Sequence, residues 1–177
     1  MGRWIWSAVD QMPMVTMSST FTYSADRISK FADALMDKVI AVFGTAGIML
    51  PDRKFFTVGQ PVHDCEELVV VFESVRKGLP GGEGDPTNCD MPSTATFSIH
   101  LVRCFPVPQN SPNPPPASTL TKNADGLMQD AWLLLGAIDE LNRDPYTGLG
   151  GMVYSVSVGE PQGGLVAVVA QVEAMVP

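Results

Sequence analysis

A chain of 177 residues is long enough for one domain, which can bury roughly 70% of the surface that it exposes when unfolded. The net charge of −8 argues against a protein whose main role is to hold nucleic-acid phosphates. Charged residues make up only 17%, so we expect another subunit or partner to cover part of the surface. No apolar run is long enough to span a membrane, and the start does not resemble a signal peptide. We therefore expect no membrane partner and synthesis in the cytosol.

The first twenty residues show no sustained hydrophobic period and predict an extended N-terminal arm, residues 1–20. Trp4 and Trp6 are candidate anchors on a neighbouring subunit, or equally a local patch on this one. Residues 21–177 are predicted to form the folded domain.

Two amphipathic helices are predicted. The first begins near Ser24, a suitable N-cap, and ends at Gly44. The second begins near Ser118 or Thr119 and ends before the loop 142–151. Apolar residues recur at a spacing of three and four, which favours one face packed on a sheet. In the first helix these are Ile28, Phe31, Ala32, Leu35, Val39, Val42 and Phe43. In the second they are Leu120, Ala124, Leu127, Met128, Ala131, Leu134, Leu135, Ile138 and Leu141.

Five strands are predicted from β-branched and alternating runs, at residues 54–58, 66–75, 94–105, 152–158 and 165–176. The last two are nearly free of charge, so we expect them to be buried in the core or against a neighbour. The order α-β-β-β-α-β-β predicts a single α+β domain. Its sheet is mostly antiparallel or mixed, with both helices packed on one face.

The second and third strands form the hairpin around which the domain is built. Pairing Val75 near Thr94 places Glu67 opposite Val102 and Cys65 opposite Cys104. Cys65 and Cys104 are therefore predicted to be neighbours, either as two packed thiols or as a disulfide formed outside the cytosol.

No catalytic chemistry is predicted. His63, Cys65, Cys89 and Cys104 could form a Cys₃His metal set, but they lack the tight Cys-x₂₋₄-Cys pair typical of zinc sites. The Gly-rich loop at 77–84 lacks the ending of a phosphate loop, and there is no Gly-x-Ser-x-Gly. We predict no cofactor, no metal and no enzyme activity. A metal-dependent enzyme that uses these Cys and His residues is the alternative from another class.

Two long connections are candidate interaction segments. The hairpin loop contributes glycines and acidic residues, and the proline-rich 106–116 connection is either a stiff crossover or a ligand for an SH3-like domain. The candidate interface residues in these segments are Gly81, Gly82, Glu83, Asp85, Asp90, Pro114, Pro115 and Pro116.

Several motifs together resemble a known family. They are the Val-Gly-x-x-Val-His-Asp-Cys-Glu-Glu-Leu-Val-Val run at 58–70, Gly-Leu-Pro-Gly at 78–81, Asn-Cys at 88–89, the run at 96–108, and Asp-Ala-Trp-Leu-Leu-Leu at 130–135. This combination resembles small neck and tail proteins of long-tailed phages that infect actinobacteria, and most closely their tail terminators with a lambda-like fold. The resemblance extends from about Ser24 to the C-terminus.

The resemblance implies a homohexameric ring that caps the head-proximal end of the tail tube and stops its polymerisation. The implied partners are further copies of the chain, the tail tube protein and the head-tail stopper or connector protein. Genomic DNA would pass through the lumen without specific binding. The implied location is the head-tail junction of the virion, after assembly in the host cytoplasm. A head-tail stopper or another neck ring subunit is the nearest alternative, and a free-standing ligand-binding domain is a further one.

Overall fold

The computed structural model describes residues 21–82, 92–105, 115–144, 151–162 and 164–176. Two helices and five strands follow one another in the predicted order. They are α1 (Phe21–Thr45), β1 (Arg53–Val58), β2 (Glu67–Lys77), β3 (Ser93–Cys104), α2 (Ala117–Arg143), β4 (Met152–Val158) and β5 (Leu165–Val176). The predicted α+β class is confirmed.

The five strands form one mixed sheet in the order β1-β2-β3-β5-β4. Strand β1 runs parallel to β2, and the other three neighbouring pairs are antiparallel. Strands β2, β3 and β5 therefore lie in the centre, whereas β1 and β4 form the two edges.

The central hairpin has the predicted register over its first half and a shifted one over its second. Glu67 pairs with Val102 as predicted. The register then shifts by one residue between Phe72 and Ser74, so Val75 pairs with Ala95 and not with Thr94. One extra residue on β2 at this point is a β-bulge, which increases the local twist of the strand.

Both helices pack on the same face of the sheet, as predicted. One hydrophobic core fills the space between the helices and the sheet. Alternate strand residues point into this core, because successive side chains of a strand lie on opposite faces. The largest fully buried apolar side chains are Phe43, Phe97, Leu35, Leu68, Ile99, Leu101, Leu134 and Ile138. The opposite face, here called the polar face, carries Thr96, Ser98 and His100 of β3 and Gln171 and Glu173 of β5.

Four details of the helix predictions are wrong. Ser24 lies inside α1 and is not its N-cap, because the helix begins three residues earlier. Met128 and Leu120 of α2 are 61% and 40% exposed and Ala124 is exposed too, although their spacing assigned them to the apolar face. The buried side of α2 is narrower and is centred on Leu134 and Ile138.

The connection between the parallel strands β1 and β2 crosses the polar face. It covers only residues 59–66, without a helix, although parallel neighbours are usually joined by a dozen residues or more. The six residues of β1 span about 20 Å. The eight residues of the connection, when extended, are long enough to return over this distance. The ring of His63 consequently stacks on His100 of β3, with the ring centroids 4.8 Å apart.

Candidate functional site

The base of the β2–β3 hairpin is closed by a disulfide between Cys65 and Cys104. Their Cα atoms are 5.2 Å apart, within the range of ordinary disulfides. The register of the hairpin brings the two residues together, since Glu67 pairs with Val102 two positions further in. The two cysteines are 39 positions apart in the sequence, and the loop that their bond closes includes the whole hairpin.

Replacing Cys104 by Ser should lower the free energy of unfolding by about 3 kcal/mol under oxidising conditions, because the closed loop restricts the unfolded chain. Urea unfolding with and without reductant measures this difference. Thiol titration of the oxidised, unfolded wild type should find one thiol per chain, and the control Cys89→Ser should leave none. Three thiols in the oxidised wild type would contradict the bond.

An ion-pair network lies beside the disulfide and joins β3 to α2. Arg103 donates from Nε to Oδ2 of Asp130 at 2.9 Å and from Nη2 to Oδ1 at 3.2 Å. Its Nη1 reaches Oε2 of Glu66 at 3.2 Å, and Nη2 also donates to the carbonyl of Met49. Burial opposes the charge of the guanidinium, but Asp130 and Glu66 outweigh it and raise the pKa of Arg103. The network therefore holds a permanently charged arginine at the edge of the core.

This ion-pair network is not among the features predicted from the sequence, although two signals in the sequence point to it. Arg103 occupies a helix-facing position of β3, in phase with Ile99 and Leu101. Asp130 lies one helical turn from Leu134, on the buried side of α2. When two core-facing positions carry residues of opposite charge, the two residues are expected to form a buried ion pair.

The residues around the disulfide are a poor fit for a metal ion. The ligand atoms of Cys65, Glu66 and Cys104 lie within 4.8 Å of one another. The two sulfur atoms are bonded to each other, whereas zinc is bound by thiolates. The Glu66 carboxylate already accepts from the backbone of Cys104 and from Arg103. His63 belongs to a different cluster, and Cys89 lies outside the described residues, so the Cys₃His set of the alternative hypothesis is not brought together within them.

The polar face holds a second cluster, centred on the buried carboxylate of Glu67. Its Oε1 lies 2.9 Å from Nδ1 of His63 and accepts from the backbone of Asp64 at 3.1 Å. Its Oε2 has Arg53 at 3.4 Å as an ion-pair partner but accepts no hydrogen bond within the described residues. The cluster ties the 59–66 connection to β1 and β2.

His100 extends this cluster toward the middle of the sheet. Burial, followed by the neighbouring His63, lowers the pKa of His100 below 6.5, against the opposing attraction of Glu73 and Glu67. The imidazole is therefore neutral at pH 7. Its Nε2 lies 2.9 Å from Oγ of Ser98.

The Ser98–His100 contact does not form a nucleophile and base of the hydrolase kind. Ser98 is 1% exposed, so its hydroxyl presents almost no surface to a substrate. In the described part of the chain, Nδ1 of His100 has no hydrogen-bond partner, whereas a catalytic base is oriented by a third group. The adjoining cleft of about 800 Å³ has mainly amide, imidazole and carboxylate groups in its wall.

A third cluster fixes the base of the hairpin loop to β5. Oε2 of Glu173 accepts from Nη2 of Arg76 at 2.8 Å and from the backbone N–H of Gly81 at 2.7 Å. Thr94 donates to the carbonyl of Gly78 on the other side of the loop base. The hydrogen bond from Gly81, together with Arg76, lowers the pKa of Glu173 despite partial burial.

Glu173→Gln should therefore reduce stability by about 1 kcal/mol at neutral pH, because the neutral amide cannot form an ion pair with Arg76. The folded-state pKa is depressed, so this contribution is present above the unfolded pKa and is lost as pH falls through the folded value. Urea unfolding from pH 7 to pH 3 should show the variant and the wild type converging in acid. The matched control Asp125→Asn, at an exposed carboxylate, should change stability little. If the difference in unfolding free energy between Glu173→Gln and the wild type stays the same at all pH values, the charge of Glu173 does not stabilise the fold.

The two edge strands carry exposed apolar side chains. On β1, Phe56 is 38% and Val58 is 71% exposed, and on β4, Val153 is 49% and Val158 is 45% exposed. In the described part of the chain, each of these strands is paired on one side only. Unpaired edges with apolar side chains are templates for pairing with another strand. The expectation that the last two strands are buried thus holds for the helix-facing side of β5, whereas Gln171 on its other face is exposed, and it holds only in part for β4.

The remaining candidate interface residues have varied positions. Gly81 and Gly82 lie in the loop base, and Gly81 has a positive φ of 71° and approaches Val153. Pro115 and Pro116 directly precede α2, and Pro116 is its N-cap residue. Outside the described residues lie Trp4, Trp6, Glu83, Asp85, Asp90 and Pro114.

No protein-family model matches this sequence, and no curated protein matches it. Among the described residues, neither helix combines the length and hydrophobicity that crossing a bilayer requires.

Proposed function

We propose that this chain is a phage tail terminator, whose copies close into a hexameric ring at the head-proximal end of the tail tube. The ring stops polymerisation of the tube and joins it to the head-tail connector. The observation that carries this proposal is the shape of the sheet, which ends in two different unpaired edges, β1 and β4, within the described residues. A ring that is closed by heterologous contacts requires a subunit with two different interaction surfaces, one for each neighbour.

The polar face supports a role around a DNA channel. Its exposed residues include two uncharged hydrogen-bonding groups, Gln171 on β5 and Ser155 on β4. Its arginines are held by carboxylates, Arg76 by Glu173 and Arg53 by Asp64 and Glu67. Paired arginines and a net charge of −8 give DNA phosphates little to bind. Such a face suits a lumen through which DNA slides.

The positions of the resembling motifs also support the proposal. The runs at 58–70 and 96–108 contain most of the residues of the 59–66 connection, the disulfide and the central strands. The run at 130–135 includes Asp130, the partner of Arg103, and Trp132, which is 76% exposed. The resemblance thus covers the residues that hold the hairpin to α2, and not only the apolar core.

Deletion of the gene from the phage genome that encodes this chain tests the function. We expect free heads together with unattached tails whose tubes exceed the normal length, and normal virions when the chain is supplied from a plasmid. Electron microscopy of lysates measures tail length and attachment. Unattached tails of normal length would indicate a head-tail stopper instead. Normal virions after deletion would contradict both roles.

A further inference from the structure

Among the described residues, none covers the outer part of the helix-facing side of β1. Phe56 and Val58 lie on this side, level with Val70 and Phe72 of β2, which contact the core. Yet Phe56 and Val58 are 38% and 71% exposed. The sheet therefore extends one strand beyond its helices at this edge.

The opposite edge has the cover that β1 lacks. Helix α2 lies along β4, where Asp139 accepts from the hydroxyl of Tyr154 at 2.9 Å and Asn142 accepts from the backbone of Met152 at 3.2 Å. Val158, at the end of β4, remains 45% exposed on the same side of the sheet. A strand added outside β4 would thus be placed beside α2.

We propose that β1 of each subunit pairs antiparallel with β4 of the next copy, with Phe56 opposite Val158. This inference rests on the proposed ring, because it specifies how neighbouring subunits in that ring are joined. Within the subunit, β1, β2 and β5 run in one direction and β3 and β4 in the other. Rotation about an axis parallel to the strands preserves these directions. Strand β4 of one copy then meets β1 of the next in antiparallel orientation.

This register matches side chains on both faces. On the helix-facing side, Phe56 lies opposite Val158. Continued two residues beyond the end of β4, the same register brings the exposed Lys54 opposite the exposed Glu160, so an opposite-charge pair follows the apolar pair. On the polar face, Thr57 lies opposite a serine, Ser157. A shift by one residue would bring the helix-facing side of one sheet onto the polar face of the next. The partner that fits this edge is a second copy of the chain.

Cysteine cross-linking tests the register. Thr57→Cys and Ser157→Cys are introduced together into Cys89→Ser protein, which is then oxidised and run on a non-reducing gel. We expect a ladder that reaches six chains. The shifted control pair, Thr57→Cys with Val158→Cys, should give no ladder because its side chains lie on opposite faces. A closed ring by native mass without a ladder would overturn this pairing and leave the proposed function standing. A wild-type protein that stays a single chain would overturn both.

A charge exchange provides an independent check in case the cysteine variants fold poorly. Lys54→Glu or Glu160→Lys alone should weaken each contact roughly fivefold, because like charges then face each other. Combining them should restore the wild-type dissociation profile in sedimentation velocity. A double variant as weak as the singles, or singles equal to the wild type, would contradict the pairing.

Discussion

Replacing Arg103 by Ala should lower the free energy of unfolding by about 3 kcal/mol, because it leaves the Asp130 carboxylate buried without its partner. Asp130 is 5% exposed, and its two oxygens both accept from the same guanidinium. Loss of a bidentate pair in this position removes two charge-assisted hydrogen bonds and keeps the cost of desolvation. Urea unfolding monitored by circular dichroism measures the difference.

The chain contains a matched control for this prediction. Arg143 pairs with Asp139 one turn earlier on α2, and the Arg143 side chain is 75% exposed. Arg143→Ala should cost only about 0.5 kcal/mol, since an exposed i,i+4 pair contributes little. A second variant, Arg103→Met with Asp130→Leu, should recover much of the stability that the single change loses. Equal losses for Arg103→Ala and Arg143→Ala would show that the buried network does not support the fold.

Phe97→Ala should have the largest effect of any single truncation in the core, about 4 kcal/mol. Phe97 is fully buried in the middle of the sheet, with Phe31 of α1 at 5.0 Å and Phe72 of β2 at 5.6 Å between ring centroids. Both neighbours meet it edge to face, a favoured arrangement of aromatic rings. Removing the Phe97 side chain would leave a cavity between α1 and the central hairpin.

Thermal unfolding should show this loss as a fall in Tm of roughly 10 °C for a domain of this size. The control Trp132→Ala removes a larger ring that is 76% exposed, and it should cost less than about 1 kcal/mol. If the two variants unfold at the same temperature, the core is not organised around Phe97.

The secondary structure and the central hairpin could be predicted because their signals are local. Alternation in β3 assigns Phe97, Ile99 and Leu101 to one face without knowledge of the rest of the chain. The bulge after Phe72 could not be predicted in this way. An extra residue changes which strand residues are opposite each other but leaves the alternation on either side intact.

The polar clusters depend on distant parts of the chain and were missed for that reason. His63 meets His100 only because the 59–66 connection returns across the polar face. Arg103 meets Asp130 because α2 packs over the end of β3, and the helical period alone does not specify that position. The exposure of Met128 has a similar origin, since the width of the buried side of a helix depends on what packs against it.

The proposed ring is tested most directly by the mass and symmetry of the purified protein. Native mass spectrometry together with electron microscopy should find a closed six-fold ring of about 114 kDa, six times the 19.0 kDa of one chain. Antibody labelling of virions should place the same ring between the head and the tail tube. A stable single chain of 19.0 kDa at micromolar concentration, with no label at the head-tail junction, would contradict the account.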